Sequence, residues 1–95
     1  MKKEHPKNGL HTEYFENGQK KVEGNYKDGK WTEWHENGQK KSEDKFKDGK
    51  EDGKWIQWYE NGQQQLERNY KKGELKGKET WWNEKGQITS ERNYK

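Results

Sequence analysis

Aromatic and β-branched residues alternate with charged residues along most of the chain, and short polar pairs ending in glycine interrupt the alternation at regular intervals. Alternation with a period of two is typical of β-strands, and Asn-Gly between two such runs is the strongest short signal for a β-hairpin. The pattern therefore predicts four hairpins, each closed by a two-residue type I′ turn in which both residues have positive φ. These turns are Asn17-Gly18, Asn37-Gly38, Asn61-Gly62 and, as a weaker signal, Lys85-Gly86.

The four hairpins are copies of one repeating unit, with boundaries at residues 9–28, 29–52, 53–76 and 77–95. Their central glycines are separated by 20, 24 and 24 residues, and the difference is an even number. The additional residues of the longer repeats therefore lengthen a hairpin without moving any side chain to the other face of the sheet. The turns between hairpins are predicted at Asp28-Gly29, Asp48-Gly49 and Lys72-Gly73.

These elements predict an all-β chain. After an N-terminal extension over residues 1–8, we expect a single domain over residues 9–95. It is an antiparallel hairpin repeat array of about eight strands in an elongated, open, single-layer sheet.

Counting outward from the first two-residue turn places Phe15 opposite Lys20 and Glu13 opposite Val22. The same count places an aromatic residue opposite a glycine in every repeat. These pairs are Gly9 with Tyr26, Gly29 with Phe46, Gly53 with Tyr70, and Gly77 with Tyr94. A ring can cover a strand glycine that has no side chain of its own, so we expect each ring to lie over its glycine.

This register sorts the side chains between the two faces of the sheet. One face carries Val22, Ser42, Leu66, Ser90, Tyr26, Phe46, Tyr70, Tyr94, Trp31 and Trp55. The other carries Tyr14, Trp34, Trp58 and Trp82, with Thr12, Thr32, Ile56, Thr80, Lys21 and Glu23 beside them. Each face mixes rings with long charged stems, so we expect a sheet that is buried on neither face and is stabilised by contacts between neighbouring repeats.

Composition explains why no second layer is expected. Hydrophobic residues make up 21% of the chain and aromatic residues alone 14%, which leaves too few aliphatic side chains for a conventional core. Charged residues make up 41%, but the net charge is only +3, which argues against a nucleic-acid partner. The chain has no cysteine, and its first residues lack the apolar stretch of an export leader. The sequence therefore predicts a cytoplasmic protein, unless it is a trimmed form of an exported one.

The repeating unit resembles the bacterial variant of the MORN repeat. The copies that carry the likeness read EYFENGQKKVEGNYKDGK, EWHENGQKKSEDKFKDGK and QWYENGQQQLERNYKKGE, and the likeness extends over residues 9–95. It implies hairpins stacked edge to edge in an elongated sheet, in proteins that bind or scaffold other molecules. Some bacterial arrays of this type are labelled YwqK-family antitoxins, so the resemblance also implies an antitoxin-like role.

Candidate catalytic residues are few. His11 and His35 occupy different repeat positions, and the convergence of side chains that a catalytic dyad or a metal site needs is not visible. A recurrent set of acids near Lys21 and Lys41 is expected to form a solvated cross-strand charge ladder. These acids are Glu23, Glu43, Glu67 and Glu91. We therefore predict no catalytic, cofactor-binding or metal-ligating residues, no cofactor and no enzymatic activity.

Two sets of residues are candidates for binding. The first is the aromatic row Tyr14, Trp34, Trp58 and Trp82, which either packs the sheet or offers rings that stack on sugars, lipid headgroups or partner side chains. The second is the outer edge of the last strand, which carries Ile88, Ser90, Arg92 and Tyr94. Unpaired backbone groups at such an edge invite self-association or the addition of a partner's strand.

Three interpretations of function stay open at this point. The first is a non-catalytic scaffold that binds a protein partner, with an antitoxin-like role as one form of it. The second is a surface for a glycan or an anionic lipid headgroup, bound through exposed rings and lysines. The third follows from the regularity of the copies, which also fits a model or engineered array without native function.

Overall fold

The computed structural model describes residues 10–25 and 28–95, which form one antiparallel β-sheet. Its strands are β1 (Leu10–Tyr14), β2 (Lys20–Asn25), β3 (Asp28–Trp34), β4 (Lys40–Lys47), β5 (Lys50–Glu51), β6 (Gly53–Trp58), β7 (Gln64–Lys71), β8 (Glu74–Leu75), β9 (Gly77–Trp82) and β10 (Ile88–Tyr94). The predicted extension over residues 1–8 and the predicted pair of Gly9 with Tyr26 lie outside the described residues.

The strands follow one another across the sheet in chain order, so the chain forms a meander without crossovers. Eight strands make up the continuous path, and the two-residue strands β5 and β8 pair only with β4 and β7. The molecule measures 45 × 32 × 15 Å, and its smallest dimension is that of a single layer. The predicted all-β, open hairpin array is therefore confirmed. None of the described segments is a helix able to span a membrane.

The predicted register is confirmed away from the Asn-Gly turns. Glu13 lies opposite Val22 in the first hairpin. The three aromatic–glycine pairs within the described residues are Gly29 with Phe46, Gly53 with Tyr70, and Gly77 with Tyr94. The outer part of every hairpin could thus be aligned from the sequence.

The expected reason for these glycines is wrong. The atoms nearest to a Cβ built on Gly53 belong to Lys45, at 3.2 Å, and not to Tyr70. The backbone requires glycine there, because Gly53 has a φ of 118°. A ring does cover a strand glycine at another position, where Gly24 lies opposite Trp31 and the tryptophan fills the space that a Cβ would need.

The Asn-Gly turns also differ from the predicted type. The Phe15 N–H donates to the Gln19 carbonyl at 2.8 Å, and the Gly18 N–H donates to the Phe15 carbonyl at 3.0 Å. This pattern is a three-residue loop, a type I turn followed by a glycine whose φ is 88°. Asn17 does not have positive φ, so the turn is not type I′. The same two hydrogen bonds recur in the other three hairpins.

A β-bulge beside each turn offsets the extra loop residue. In the first hairpin Tyr14 lies opposite Lys20, although the preceding residue Glu13 lies opposite Val22. Lys21 is therefore the bulged residue, and the predicted pair of Phe15 with Lys20 is wrong. Equivalent shifts occur in the other three hairpins. Because the bulge cancels the longer loop, the outer register is the one that a two-residue turn would give.

The turn asparagines link neighbouring repeats. Asn17 Oδ1 accepts a hydrogen bond from the Gln19 N–H at 2.9 Å, and Asn17 Nδ2 donates to the carbonyl of Glu36, in the next turn, at 3.3 Å. Asn37 and Asn61 likewise accept from the N–H two residues later in their own turns and donate to the carbonyls of Glu60 and Glu84 in the turns that follow. We call the row formed by Asn17, Asn37 and Asn61 the asparagine ladder. It holds the four turns together along one side of the sheet.

Removing one member of the asparagine ladder should weaken the array. We expect Asn37→Ala to lower the free energy of unfolding by about 1 kcal/mol, because two hydrogen bonds at an exposed site are lost. Asn37→Asp keeps the acceptor for the Gln39 N–H and loses the donor to Glu60, so it separates the two contributions. Denaturant unfolding measures both variants. If Asn37→Ala matched the wild type, the ladder would have no part in holding the repeats together.

Type I′ turns do occur, but they lie between the hairpins. Asp48 and Gly49 have φ of 53° and 79°, and Lys72 and Gly73 have φ of 52° and 87°. These turns join β4 to β5 and β7 to β8, where the longer repeats hold their additional residues. The turn predicted at Asp28 and Gly29 is wrong, because both residues belong to β3.

Each face of the sheet presents a recurring set of side chains. The front face carries His11, Glu13, Val22, Trp31, Glu33, Ser42, Asp44, Phe46, Trp55, Gln57, Leu66, Arg68, Tyr70, Glu79, Trp81, Ser90, Arg92 and Tyr94. The back face carries Thr12, Tyr14, Glu23, Lys30, Thr32, Trp34, Glu43, Lys54, Ile56, Trp58, Glu67, Lys78, Thr80, Trp82 and Glu91. The predicted division between faces therefore holds for the described strand residues outside the bulges.

The core is small and lies mainly on the front face. Its apolar members are Leu66, which is 1% exposed, and Val22, which is 9% exposed. The buried polar residues are Thr32, Ser42, Glu79 and Thr80. Two aliphatic side chains are far too few to stabilise a domain, so contacts between neighbouring repeats must supply most of the stability.

Candidate functional site

The predicted aromatic row lies on the back face. Tyr14, Trp34, Trp58 and Trp82 each end the first strand of a hairpin. Tyr14 is 61% exposed, whereas the three tryptophans are half-buried. The rings belong to alternate strands of the continuous path, so a strand lies between each ring and the next.

Lysine stems from the intervening strands cover part of this row. Lys40 Nζ lies 5.8 Å from the ring centroid of Trp58 and 2.9 Å from a carboxylate oxygen of Glu43. Lys20 borders the same surface recess as Trp34, in the equivalent place of the preceding junction. Trp58 therefore packs against a side chain of the preceding hairpin, which agrees with the packing interpretation of the row.

The predicted charge ladder is present, with different lysines from those expected. Within the described residues, three of its ion pairs join neighbouring strands: Lys30 with Glu43 at 3.8 Å, Lys54 with Glu67 at 3.2 Å, and Lys78 with Glu91 at 3.0 Å. Two others lie within one strand: Lys20 with Glu23 at 3.1 Å and Lys40 with Glu43 at 2.9 Å. Lys21 instead lies 5.9 Å from the Phe15 ring, because the bulge moves it out of register. Burial raises the pKa of Glu43, but the hydrogen bond from Lys40 and the surrounding lysine charges outweigh it, so the pKa is lowered overall.

A second cluster, on the front face, was not predicted. The Arg68 guanidinium lies 5.1 Å from the ring centroid of Trp55 and 5.5 Å from that of Trp81. It is ion-paired with Glu79, which also accepts hydrogen bonds from Trp81 Nε1 at 3.2 Å and from the Tyr94 hydroxyl at 3.5 Å. We call these five residues the Arg68 cluster. It joins the third and fourth repeats across the β7–β9 junction.

Charge pairing governs the titration of this cluster. Burial raises the pKa of Glu79, but hydrogen bonds from Trp81 and Arg68 and the charges of Arg68 and Arg92 lower it by more, so the pKa falls below its ordinary value. Burial lowers the pKa of Arg68, and its bonds to Glu79 and Tyr70 raise it by more. Both groups are therefore charged at neutral pH, and the buried carboxylate has its full set of partners.

Two carboxyl groups meet at the junction between the second and third repeats. Asp44 is hydrogen-bonded to Glu51, and burial together with that bond and the charge of Glu51 raises the pKa of Asp44 to about 8. Asp44 lies opposite Trp31 on the front face. This pair could not be predicted from the repeat pattern, because Asp44 stands where other copies have glycine or arginine.

This carboxyl pair should make stability fall as the pH rises. Folded Asp44 keeps its proton up to about pH 8, whereas the unfolded chain releases it near pH 4, so stability is lost between these values as the pH increases. Asp44→Asn should flatten this dependence, and Glu51→Gln should reduce it by removing the neighbouring charge. Thermal unfolding of the three proteins between about pH 5 and 9 measures the effect. An unchanged slope in Asp44→Asn would contradict it.

The described histidines are used structurally. The His11 ring stacks on Trp31 at 5.8 Å and contacts Glu13 at 2.6 Å. His35 Nε2 lies 3.1 Å from the Trp58 carbonyl, where Tyr59 makes the equivalent contact one repeat later. No group of side chains suited to holding a metal ion occurs within residues 10–25 and 28–95.

The predicted strand-addition edge lies at one end of the strand order. β10 pairs with β9 and, in the described part of the chain, with no other strand. Ser90, Arg92 and Tyr94 lie on the front face, while Ile88 lies opposite Trp82 beside the aromatic row. Ile88 is 56% exposed and Arg92 is also exposed. The edge set is thus divided between the two faces.

The strand order, the repeated junctions and the asparagine ladder define an antiparallel β-hairpin repeat protein. The family model described as MORN repeat variant matches the chain four times, at residues 7–28, 27–48, 51–72 and 75–95. The chain therefore belongs to the MORN repeat variant family, whose repeats are generally non-catalytic modules. Comparisons with curated proteins and with solved structures find no match.

Proposed function

We propose that this chain is a non-catalytic scaffold that binds a protein partner through the front face of its sheet and the outer edge of β10. The observation that carries the proposal is the number of Trp, Tyr and Arg side chains on a single layer that is 15 Å thick. Such a layer has too small a core to bury these side chains fully. These residue types supply most of the binding energy at protein interfaces. An antitoxin-like role, in which the partner is a toxin protein, is one specific form of the proposal.

The geometry of the two faces favours the front face. On the back face, lysine stems and ion pairs lie beside Trp34 and Trp58. On the front face, Trp55 and Trp81 are half-buried beside Arg68, in a mixture of rings and charge that resembles an interface centre. A glycan or lipid headgroup would depend on bare ring faces, and Tyr14 at the end of the back-face row is the ring that best meets this need.

Site-specific photo-cross-linking tests the proposal. A benzophenone amino acid is placed in the full chain at Glu33 on the front face, at Thr89 on the edge strand, or at Tyr14 on the back face. We expect Glu33 or Thr89 to yield one protein adduct in the source cells, and the purified pair to form a complex of fixed stoichiometry. Adducts from Tyr14 alone, together with binding to glycans or anionic vesicles, would contradict the proposal.

A further inference from the structure

Every junction between repeats is built from the same strand pairing. Val22 lies opposite Glu33, Ser42 opposite Gln57, and Leu66 opposite Trp81. On the back face, Glu23, Glu43 and Glu67 lie opposite Thr32, Ile56 and Thr80. In the fourth repeat β10 takes the place of β2, β4 and β7, and no further strand follows it in the described part. Its outer edge is therefore one half of a junction.

Arg92 indicates what the other half would supply. Its equivalent one repeat earlier is Arg68, which pairs with Glu79 of the following strand. Arg92 is exposed, and it lies opposite Glu79 of β9, on whose carboxyl its charge acts. Among the described residues it makes no hydrogen bond or ion pair, because the Glu79 carboxylate is paired with Arg68. It borders an open recess of about 370 Å³ that Trp81 and Ser90 also line. Arg68 and Glu79 line it as well, so the recess lies over β9 and β10 on the front face, beside the outer edge of β10.

We propose that the outer edge of β10 accepts an antiparallel strand from a partner protein, with an acidic residue opposite Arg92 and a β-branched residue opposite Glu91. This rests on the proposed scaffold function and names the kind of segment that is bound. The acid would reproduce the pairing of Arg68 with Glu79, and the β-branched residue would reproduce that of Glu67 with Thr80. Backbone hydrogen bonds along the edge would supply most of the affinity.

The end of the asparagine ladder favours a single added strand over a second copy of this chain. The last turn carries Lys85 where the asparagine ladder would continue. Asn83 closes that turn on itself, because its Oδ1 accepts from the Lys85 and Gln87 N–H groups and its Nδ2 donates to Gln87 Oε1 at 3.0 Å. A docked hairpin would find no ladder contacts there. In addition, β1 of a second copy would place His11, and not an acid, opposite Arg92.

A charge exchange with a synthetic strand tests the pairing. The probe is a fluorescein-labelled peptide that copies Gly77–Trp82, read by anisotropy against the full-length protein. We expect Arg92→Glu to weaken binding by about tenfold or more, and a peptide with lysine in place of its glutamate to bind Arg92→Glu better than it binds the wild type. Arg92→Gln, which adds no repulsion, should bind both peptides weakly. Equal binding of both peptides to all three proteins would overturn the proposal.

Backbone methylation supplies a test that needs no protein variant. Two peptides carry N-methyl groups on alternate amides, in opposite phase. Only every second residue of an added strand donates to the edge, so one of these peptides should bind like the parent and the other should not bind. Equal effects of both methylation patterns would overturn strand addition. So would a concentration-dependent dimer in sedimentation that Arg92→Glu disrupts, because the edge would then bind a second copy. Either result would overturn strand addition at β10. Neither would change the outcome of the photo-cross-linking test for a partner on the front face.

Discussion

Glu79→Ala is expected to lower the free energy of unfolding by about 3 kcal/mol, because it leaves the Arg68 guanidinium without its anion beside two tryptophan rings. Glu79 is 3% exposed, so the lost carboxylate is a buried partner of a guanidinium that is itself mostly buried. The hydrogen-bond partner of Trp81 Nε1 is lost with it. Because the described core contains only Leu66 and Val22 as apolar members, this loss is a large fraction of the total free energy of unfolding of such a small domain.

A matched control comes from an equivalent contact in the second repeat. The Trp31 indole N–H donates to Glu33 at 3.3 Å, much as that of Trp81 donates to Glu79, but the pair of Arg68 with Glu79 has no counterpart there. Glu33→Ala should therefore cost about 0.5 kcal/mol or less. Replacing Arg68 and Glu79 together by leucine should cost less than Glu79→Ala alone, because no unpaired charge is then left. Denaturant unfolding of the variants decides the matter, and equal losses for Glu33→Ala and Glu79→Ala would contradict the argument.

The turns show how the fold could be predicted although a local geometry was wrong. Asn-Gly suits both central positions of a type I′ turn, and it equally suits the last two positions of a three-residue loop. The bulge at Lys21 gives both geometries the same outer register, so the pairing of Glu13 with Val22 cannot distinguish them. The turn at Lys85-Gly86 fits the observed loop, because lysine is not required to adopt positive φ there.

The surfaces were harder to predict than the fold. The bulge shifts the ion pairs from Lys21 and Lys41 to Lys20 and Lys40, and a bulge has no clear signature in charged sequence. The Arg68 cluster had a signal, since opposite charges occupy facing positions at the third junction, where Glu79 replaces the tryptophans of earlier copies. The burial of Glu79 could not be predicted, because it depends on how the rings of Trp55 and Trp81 lie over the sheet.

Gly24→Ala is the second substitution with a large expected effect. A Cβ atom on Gly24 would lie 2.6 Å from the Cα of Trp31 and 2.9 Å from the carbonyl oxygen of Lys30, and it would also overlap the indole ring. Two of these three neighbours are backbone atoms, so a change of rotamer cannot relieve the overlap. The β2–β3 pair would have to separate at Gly24, in the first junction of the array. We expect a loss of about 3 kcal/mol in the free energy of unfolding.

Gly49→Ala separates this steric effect from the general cost of replacing glycine. Gly49 has a φ of 79°, and nothing lies within 4 Å of a Cβ built on it, so its substitution should cost about 1 kcal/mol through backbone strain alone. Gly24 does not have positive φ, and its whole penalty should come from Trp31 and Lys30. Trp31→Ala combined with Gly24→Ala should therefore recover only the part of the loss that the indole ring causes. If Gly24→Ala were no more destabilising than Gly49→Ala, the close contact of β2 with β3 at this point would be wrong.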